Sequence, residues 1–305
     1  MRMLLSYAGK TVVCALAYTT GSALGAALAA VLGAALPAMP PGTDPARLMR
    51  AAFLASLTLG ASLGPLASGL RTGYLARFVS LGLFSYVCLG ANTALETAIF
   101  TTMGGAWGIV VLFLPATLAC AAAAAALFPP GATPETSAER WSRFRSQFGP
   151  SSWTWRLGAA VVAFPVVYLA FGMVVEPFVA DSYRTGAFGL TLPGWGQILP
   201  TQLLRSVMFL IASVPLIALW GGSRLCLGLS LGLANFTLVG LFGMLQASWL
   251  PIPMRLIHGA ELVADSFVYA ALLVLLLVRR TSAPRPGPVA AALSSGSTAK
   301  GTQPG

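Results

Sequence analysis

Apolar residues fill eight successive stretches of about twenty positions between Thr11 and Val278. A helix of that length crosses a hydrocarbon core roughly 30 Å thick. The pattern predicts helices at 11–36, 51–70, 78–100, 106–128, 157–179, 201–220, 225–247 and 256–278. The fold class that follows is an all-α polytopic membrane protein, a bundle of eight transmembrane helices. The first stretch, Thr11 to Leu36, far exceeds the roughly 7 to 15 apolar residues of a secretory signal, so it is read as a membrane helix.

Composition supports this reading. The chain is 57% hydrophobic and 9% charged, with a mean hydropathy of +0.81. A soluble domain carries about 25% charged residues, and a core this apolar could not be solvated. The net charge of +10 raises nucleic acid as a partner. The arginines, however, sit in short loops between apolar segments and form no stripe, so the expected partner is the lipid bilayer and not nucleic acid.

With eight crossings both ends share one side. Arg2, Lys10, Arg71, Arg77, Arg140, Arg143, Arg145, Arg156, Arg224, Arg279, Arg280, Arg285 and Lys300 fall on that side, against Arg47, Arg50, Arg184, Arg205 and Arg255 at or near the other. The bias predicts cytoplasmic termini. An alanine-, glycine- and arginine-rich chain whose only lysines are Lys10 and Lys300 reads as the product of a GC-rich bacterial genome, which suggests a bacterial cytoplasmic membrane. Cys14, Cys88, Cys120 and Cys226 lie in apolar segments with no C-x-x-C spacing and no histidine nearby. They read as small buried hydrophobes, and no metal or cofactor is expected.

Sliding the chain against itself by 150 positions brings 51–100 onto 201–250 without a gap: Pro65 meets Pro215, Ser80-Leu81-Gly82-Leu83 meets Ser230-Leu231-Gly232-Leu233, and Gly90 meets Gly240. A duplication would relate four helices to four helices as parallel pseudo-repeats about an axis along the membrane normal. The expected organisation is a first membrane half at 1–128, a linker at 129–156, a second half at 157–280 and a disordered tail at 281–305. Within the linker, Trp141, Phe144 and Phe148 recur among Arg140, Arg143 and Arg145. That is the pattern of a short amphipathic helix on an anionic leaflet. The segment Asp181 to Pro200 is the longest loop on its side, and Tyr183 and Trp195 suit it to cover the bundle.

Ionisable residues in lipid cost at least about 2.5 to 3.5 kcal/mol each, so each needs a partner or a purpose. His258, Glu261 and Asp265 share one face of the last helix, with Arg255 one turn earlier. Asp265 lies about 15 Å below Arg255. The expected counter-charges are Arg205 pairing with Glu261 or Asp265, Glu176 at the same level, and Glu96 with Arg50 in the first half. These eight residues are the ligand- or ion-pathway candidates.

Four G-x-x-x-G pairs, among them Gly21 with Gly25 and Gly60 with Gly64, fit a tightly packed bundle. No zinc-protease, nucleophile-elbow, Walker A or dinucleotide fingerprint is present. With one histidine and no evident nucleophile, the reading leans away from an enzyme. Three functions stay open: a protein that binds or transports a small polar or amphiphilic ligand through an outward-facing pocket among the fifth, sixth and eighth spans, an intramembrane enzyme acting on a lipid-like substrate through His258, Glu261 and Asp265, and a scaffold or regulatory subunit whose charges only join helices.

Overall fold

The computed structural model describes residues 2–38, 43–131 and 133–279. Among them, eight helices are long and apolar enough to cross a membrane: α1 (Arg2–Val31), α2 (Pro45–Gly69), α3 (Tyr74–Phe100), α4 (Ala106–Leu127), α6 (Pro150–Arg184), α7 (Trp195–Leu219), α8 (Arg224–Gln246) and α9 (Ile252–Leu277). A short helix, α5 (Ser137–Arg145), links the halves. The protein is an all-helical, multi-pass membrane bundle. The expected tail at 281–305, with Arg280, Arg285 and Lys300, lies outside the described residues.

Several helices overrun the apolar windows. α1 begins nine residues before Thr11, and α6 runs for 35 residues, or about 52 Å. Backbone hydrogen bonding carries on through the headgroup zone, where Lys10 and Arg156 are tolerated, so the apolar run marks the lipid core and not the helix. The loop expected at Asp181 to Pro200 shrinks accordingly to 185–194, because Tyr183 and Arg184 are still helical. α2 starts where Asp44 accepts from the Ala46 N–H and Pro45 opens the first turn.

The two halves repeat one plan. Shifted by 150 positions, α2 falls end for end on α7, and α3 and α8 start together. α4 and α9 end together. α1 packs on α4 and α2, and α3 on α4; likewise α6 packs on α9 and α7, and α8 on α9. The halves meet through α2 with α8 and α3 with α7. Both α3 and α8 are interrupted by a π-helical turn, at Tyr86–Ala91 and Thr237–Leu241. At one end, Leu70 and Trp220, themselves 150 apart, form an antiparallel bridge. The Arg71 N–H donates to Leu219 O at 3.1 Å and the Gly221 N–H to Gly69 O at 2.9 Å.

That end of the bundle, the basic end, is stapled by arginines. Helix C-termini leave carbonyls without partners. Arg77 donates to Ala67 O at 3.2 Å and to Phe128 O, closing α2 and α4. Arg140 donates to Leu219 O and Trp220 O at the end of α7. Arg156 and Arg224 reach Leu276 O at 2.6 Å and Val274 O at 3.1 Å in α9.

α5 serves this stapling and is not a free surface helix. It is opened by a capping box between Thr136 and Glu139. Its Phe144 and Arg140 are buried against the bundle, and Phe144 packs on Trp153 with ring centroids 4.9 Å apart. Phe144 thus faces protein, while Trp141 and Phe148 are half-buried. Cys226 corrects one expectation. Cys14, Cys88 and Cys120 are buried, but Cys226, in the first turn of α8, is exposed.

Small residues set the closest contact. A Cβ at Gly25 would stand 2.2 Å from Leu112 O, and one at Gly21 2.6 Å from Pro115 O, so α1 and α4 touch backbone to backbone as the G-x-x-x-G spacing predicts.

Candidate functional site

Arg205 is the largest fully buried side chain, 2% exposed. It stands about 15 Å along α7 from Trp195 at 1.5 Å per residue, near mid-bundle. That is deeper than the first-turn placement expected from the apolar run, because α7 starts at Trp195. Helical side chains lean toward their own N-terminus, which carries the guanidinium toward the end opposite the basic one, the far end.

There it meets α3. The π turn at Tyr86–Ala91 adds a residue to the helical register and turns the following face by about 100°, so that Asn92 and Glu96, one turn apart, face α7. Arg205 Nε donates to Asn92 Oδ1 at 2.8 Å. One terminal nitrogen donates to Glu96 Oε1 at 2.6 Å, and the other to Gln202 Oε1 at 3.1 Å. The rings of Phe164, Tyr168 and Phe209 lie 5.2, 5.5 and 5.8 Å from the guanidinium carbon, within cation–π range.

Guanidinium has no acceptor, so the two amides must turn their oxygens toward it. Their NH2 groups are thereby fixed facing away. Both are buried, and neither Asn92 Nδ2 nor Gln202 Nε2 has a partner among the described residues. Arg205 itself bonds through three of its five N–H groups in these contacts.

A second group lines α9. His258 Nδ1 and Glu261 Oε2 are 3.0 Å apart, and the Tyr183 ring stands edge-on to His258 at 6.2 Å. Gly172 on α6 lies against Glu261, since a Cβ there would sit in ordinary contact, 3.7 Å from Oε1. Asp265 is 6% exposed, and its Oδ1 has no partner among the described residues. Asp265 lies within electrostatic reach of both Glu261 and Arg205. The Tyr168 hydroxyl feels the charges of Arg205, Glu96, Glu261 and Asp265.

The expected pairing is therefore corrected. Arg205 bonds to Glu96 from the first half, not to Glu261 or Asp265, because the π turn presents Glu96 where the sequence offered only a distant acid. Arg50 does not pair with Glu96; its Nε donates to Ala46 O at 3.3 Å on the exposed start of its own helix. Glu176 binds Arg184 at 2.8 Å, with both side chains more than half exposed. Arg255 reaches Met244 O at 3.5 Å.

At the far end Thr101 and Leu190 make a second antiparallel bridge, with the Thr102 N–H on Gly189 O at 2.8 Å and the Thr191 N–H on Phe100 O at 2.9 Å. Two cavities lie elsewhere: a shallow apolar one of about 440 Å³ at Met49, Arg50, Phe53 and Leu54, and one of about 140 Å³ around Arg140 and Trp220.

Asn92, Gln202 and Tyr168 escaped the sequence reading. The available signal was an amide one turn from a charge within an apolar run, Gln202 before Arg205 and Asn92 before Glu96.

The repeat supplies an internal comparison. Shifted by 150, Gln202, Arg205, Asn92 and Glu96 correspond to Ala52, Ala55, Phe242 and Gln246, and Tyr168 to Tyr18. At that mate crossing the Phe242 ring packs edge-on against Tyr18 at 5.3 Å and Phe113 at 6.1 Å. His258, Glu261 and Asp265 correspond to Gly108, Val111 and Pro115. The same helix crossing is built once without charges and once with them. Comparison with known protein families, with characterised proteins and with solved structures finds no match to this chain.

Proposed function

We propose that this membrane protein binds and moves a small polar or amphiphilic ligand at the crossing of α3 with α7, with α6 and α9 completing the site. The observation that carries this reading is the contrast between the two crossings. A scaffold that packs Ala52, Ala55 and Phe242 at one crossing has no packing need for a buried arginine and two half-satisfied amides at the other. Buried donors without partners cost about 1–3 kcal/mol each, and a site that receives a ligand recovers that cost on binding.

Two halves related by an axis along the bundle, meeting at a polar seam closed at both ends by short bridges, suit a transporter in an occluded arrangement. The excess of basic residues at one end supports placing that end in the cytoplasm of a bacterial cell, which reporter fusions to the C-terminus check.

The test is thermal unfolding of the purified full chain against a panel of neutral, cationic, anionic and zwitterionic polar compounds and amphiphiles. Binding at 100-fold above Kd stabilises by about 2.7 kcal/mol, so one class should raise Tm by on the order of 5 °C. Asn92→Asp, which keeps the Arg205 contact but inverts the free amide, should abolish the shift. A panel without any class-dependent shift would assign the charges to holding helices together.

A further inference from the structure

The geometry points to a phosphate-binding site at the basic end of the bundle, in the cavity of about 140 Å³ where α5 meets the end of α7 and the start of α8. Its ligand is a phosphate group, free or esterified, held by arginines. Ile217, in the lining, stands about 18 Å along α7 from Arg205 at 1.5 Å per residue. The site is therefore separate from the α3 and α7 crossing, and it does not rest on the reading given above.

The repeat explains why a cavity is there. Ile217, Leu227 and Val278 line it, and shifted by 150 positions they correspond to Ala67, Arg77 and Phe128. In the first half the buried Arg77 side chain lies in the equivalent crevice and donates to Ala67 O and Phe128 O. In the second half Leu227 stands in its place and brings no guanidinium. A single water needs roughly 10–15 Å³, so the space left accepts an oxyanion with bridging waters. Leu227 and Phe144 are buried, whereas Gly222 and Arg143, also in the lining, are exposed and give the cavity a mouth.

Charge decides the occupant. Arg140, Arg143 and Arg224 line the cavity, and among the described residues no acid does. The acids nearby are Glu135, which stands 3.5 Å from Arg140 and 2.9 Å from Arg143, and Glu139, which turns to the Thr136 cap. The carbonyls at the end of α7 are engaged, since Leu219 O and Trp220 O hold Arg140. Gln147, in the lining, gives its oxygen to the Arg279 N–H at 2.8 Å, which leaves its amide a donor. Burial lowers the Arg140 pKa from its ordinary value, Glu135 opposes the shift, and the like charges of Arg143 and Arg71 add to it. A cation entering here would meet three guanidinium groups. An oxyanion relieves their repulsion and meets the planar N–H forks that match phosphate. Basic pockets between spans, at the level of the loops, take lipid head groups, so the phosphate has two sources: a lipid head group or a free ion in the adjoining water.

The experiment uses the purified full chain in neutral detergent. Native mass spectrometry follows titration with phosphatidic acid and, in parallel, phosphatidylcholine, while inorganic phosphate is read by thermal shift against chloride at matched ionic strength. Phosphatidic acid should bind about tenfold or more tightly than phosphatidylcholine, whose choline brings a cation toward the arginines. A response to phosphatidic acid alone identifies a lipid head group, and a response to inorganic phosphate identifies a free ion; both support the site. Arg143→Gln should weaken the binding about tenfold, the loss of one charge-assisted hydrogen bond. Arg145→Gln, an exposed arginine of the same helix outside the lining, should change it less than twofold. Leu227→Arg, which copies the Arg77 arrangement into the cavity, should abolish binding; if that variant does not fold, the comparison of Arg143→Gln with Arg145→Gln decides. Equal binding of the two lipids without a phosphate response, or equal effects of Arg143→Gln and Arg145→Gln, would overturn the site.

Discussion

Replacing Arg205 by methionine removes the one cation at the centre of the seam while keeping a long apolar stem for Phe164 and Phe209. Three hydrogen bonds go with it, to Asn92, Gln202 and Glu96. Side-chain hydrogen bonds in membrane bundles average about 0.6 kcal/mol and reach about 1.7, which brackets the direct loss at roughly 2–5 kcal/mol. Glu96 is 35% exposed, so water takes up part of its charge and its share belongs at the low end. The expected destabilisation of Arg205→Met is about 2–4 kcal/mol. Reversible unfolding in mixed micelles, followed by circular dichroism, measures it. Arg184→Met supplies the control, since that arginine pairs with Glu176 while 58% exposed and should cost no more than about 0.5 kcal/mol. A double-mutant cycle of Arg205→Met with Glu96→Gln should give a coupling of about 1 kcal/mol. Equal small losses for Arg205→Met and Arg184→Met would show that the buried network is not formed.

Other parts of the fold make separate predictions. Cysteines at Leu70 and Trp220 occupy the close, non-hydrogen-bonded pair of an antiparallel bridge, where Cα atoms stand about 4.5 Å apart; Leu70→Cys with Trp220→Cys should form an intramolecular disulfide on mild oxidation, and a failure to cross-link would refute the seam. Gly25→Val drives a side chain into Leu112 O and should cost at least about 3 kcal/mol of stability, whereas Gly158→Val, with nothing within 4 Å, should be near neutral. The Glu139 carboxyl is held below its ordinary range by the Thr136 hydroxyl and N–H, and secondarily by Arg143. A depressed acid adds stability above its unfolded pKa and loses it as pH falls through the folded value. Amide exchange in α5 should therefore accelerate relative to the bundle below about pH 4, and Thr136→Ala should remove that pH dependence.

The eight spans were legible because a bilayer demands long apolar runs, and the register of the repeat was visible in Pro65 and Pro215 and in the two Ser-Leu-Gly-Leu blocks. The helix ends were not, since Lys10 and Tyr183 continue helices through a zone where polarity is tolerated. Charged residues stood out in the sequence, but their partners depended on a feature with no sequence signature, the π turn that swings Asn92 and Glu96 onto α7. The basic-end arginines were read as markers of orientation. Arg77, Arg140, Arg156 and Arg224 also close helix C-termini, a role that pairs each with backbone carbonyls and leaves no trace in side-chain patterning. The amides were overlooked because Asn92 and Gln202 look like ordinary polar interruptions until the geometry of guanidinium dictates which way they face.

The repeat also furnishes the most direct test. Copying the mate crossing onto the polar one with Asn92→Phe, Glu96→Gln, Gln202→Ala and Arg205→Ala replaces a charged cluster by the residues that already pack Ala52, Ala55, Phe242 and Gln246. If the charges exist for a ligand, the fourfold variant should fold with native helical content and recover at least half of the stability lost in Arg205→Met, since well-packed apolar substitutes for buried ion pairs are often neutral or stabilising, while every ligand-dependent thermal shift disappears. A variant that cannot be isolated folded, although Arg205→Met can, would contradict the account and show that the cluster holds the two halves together.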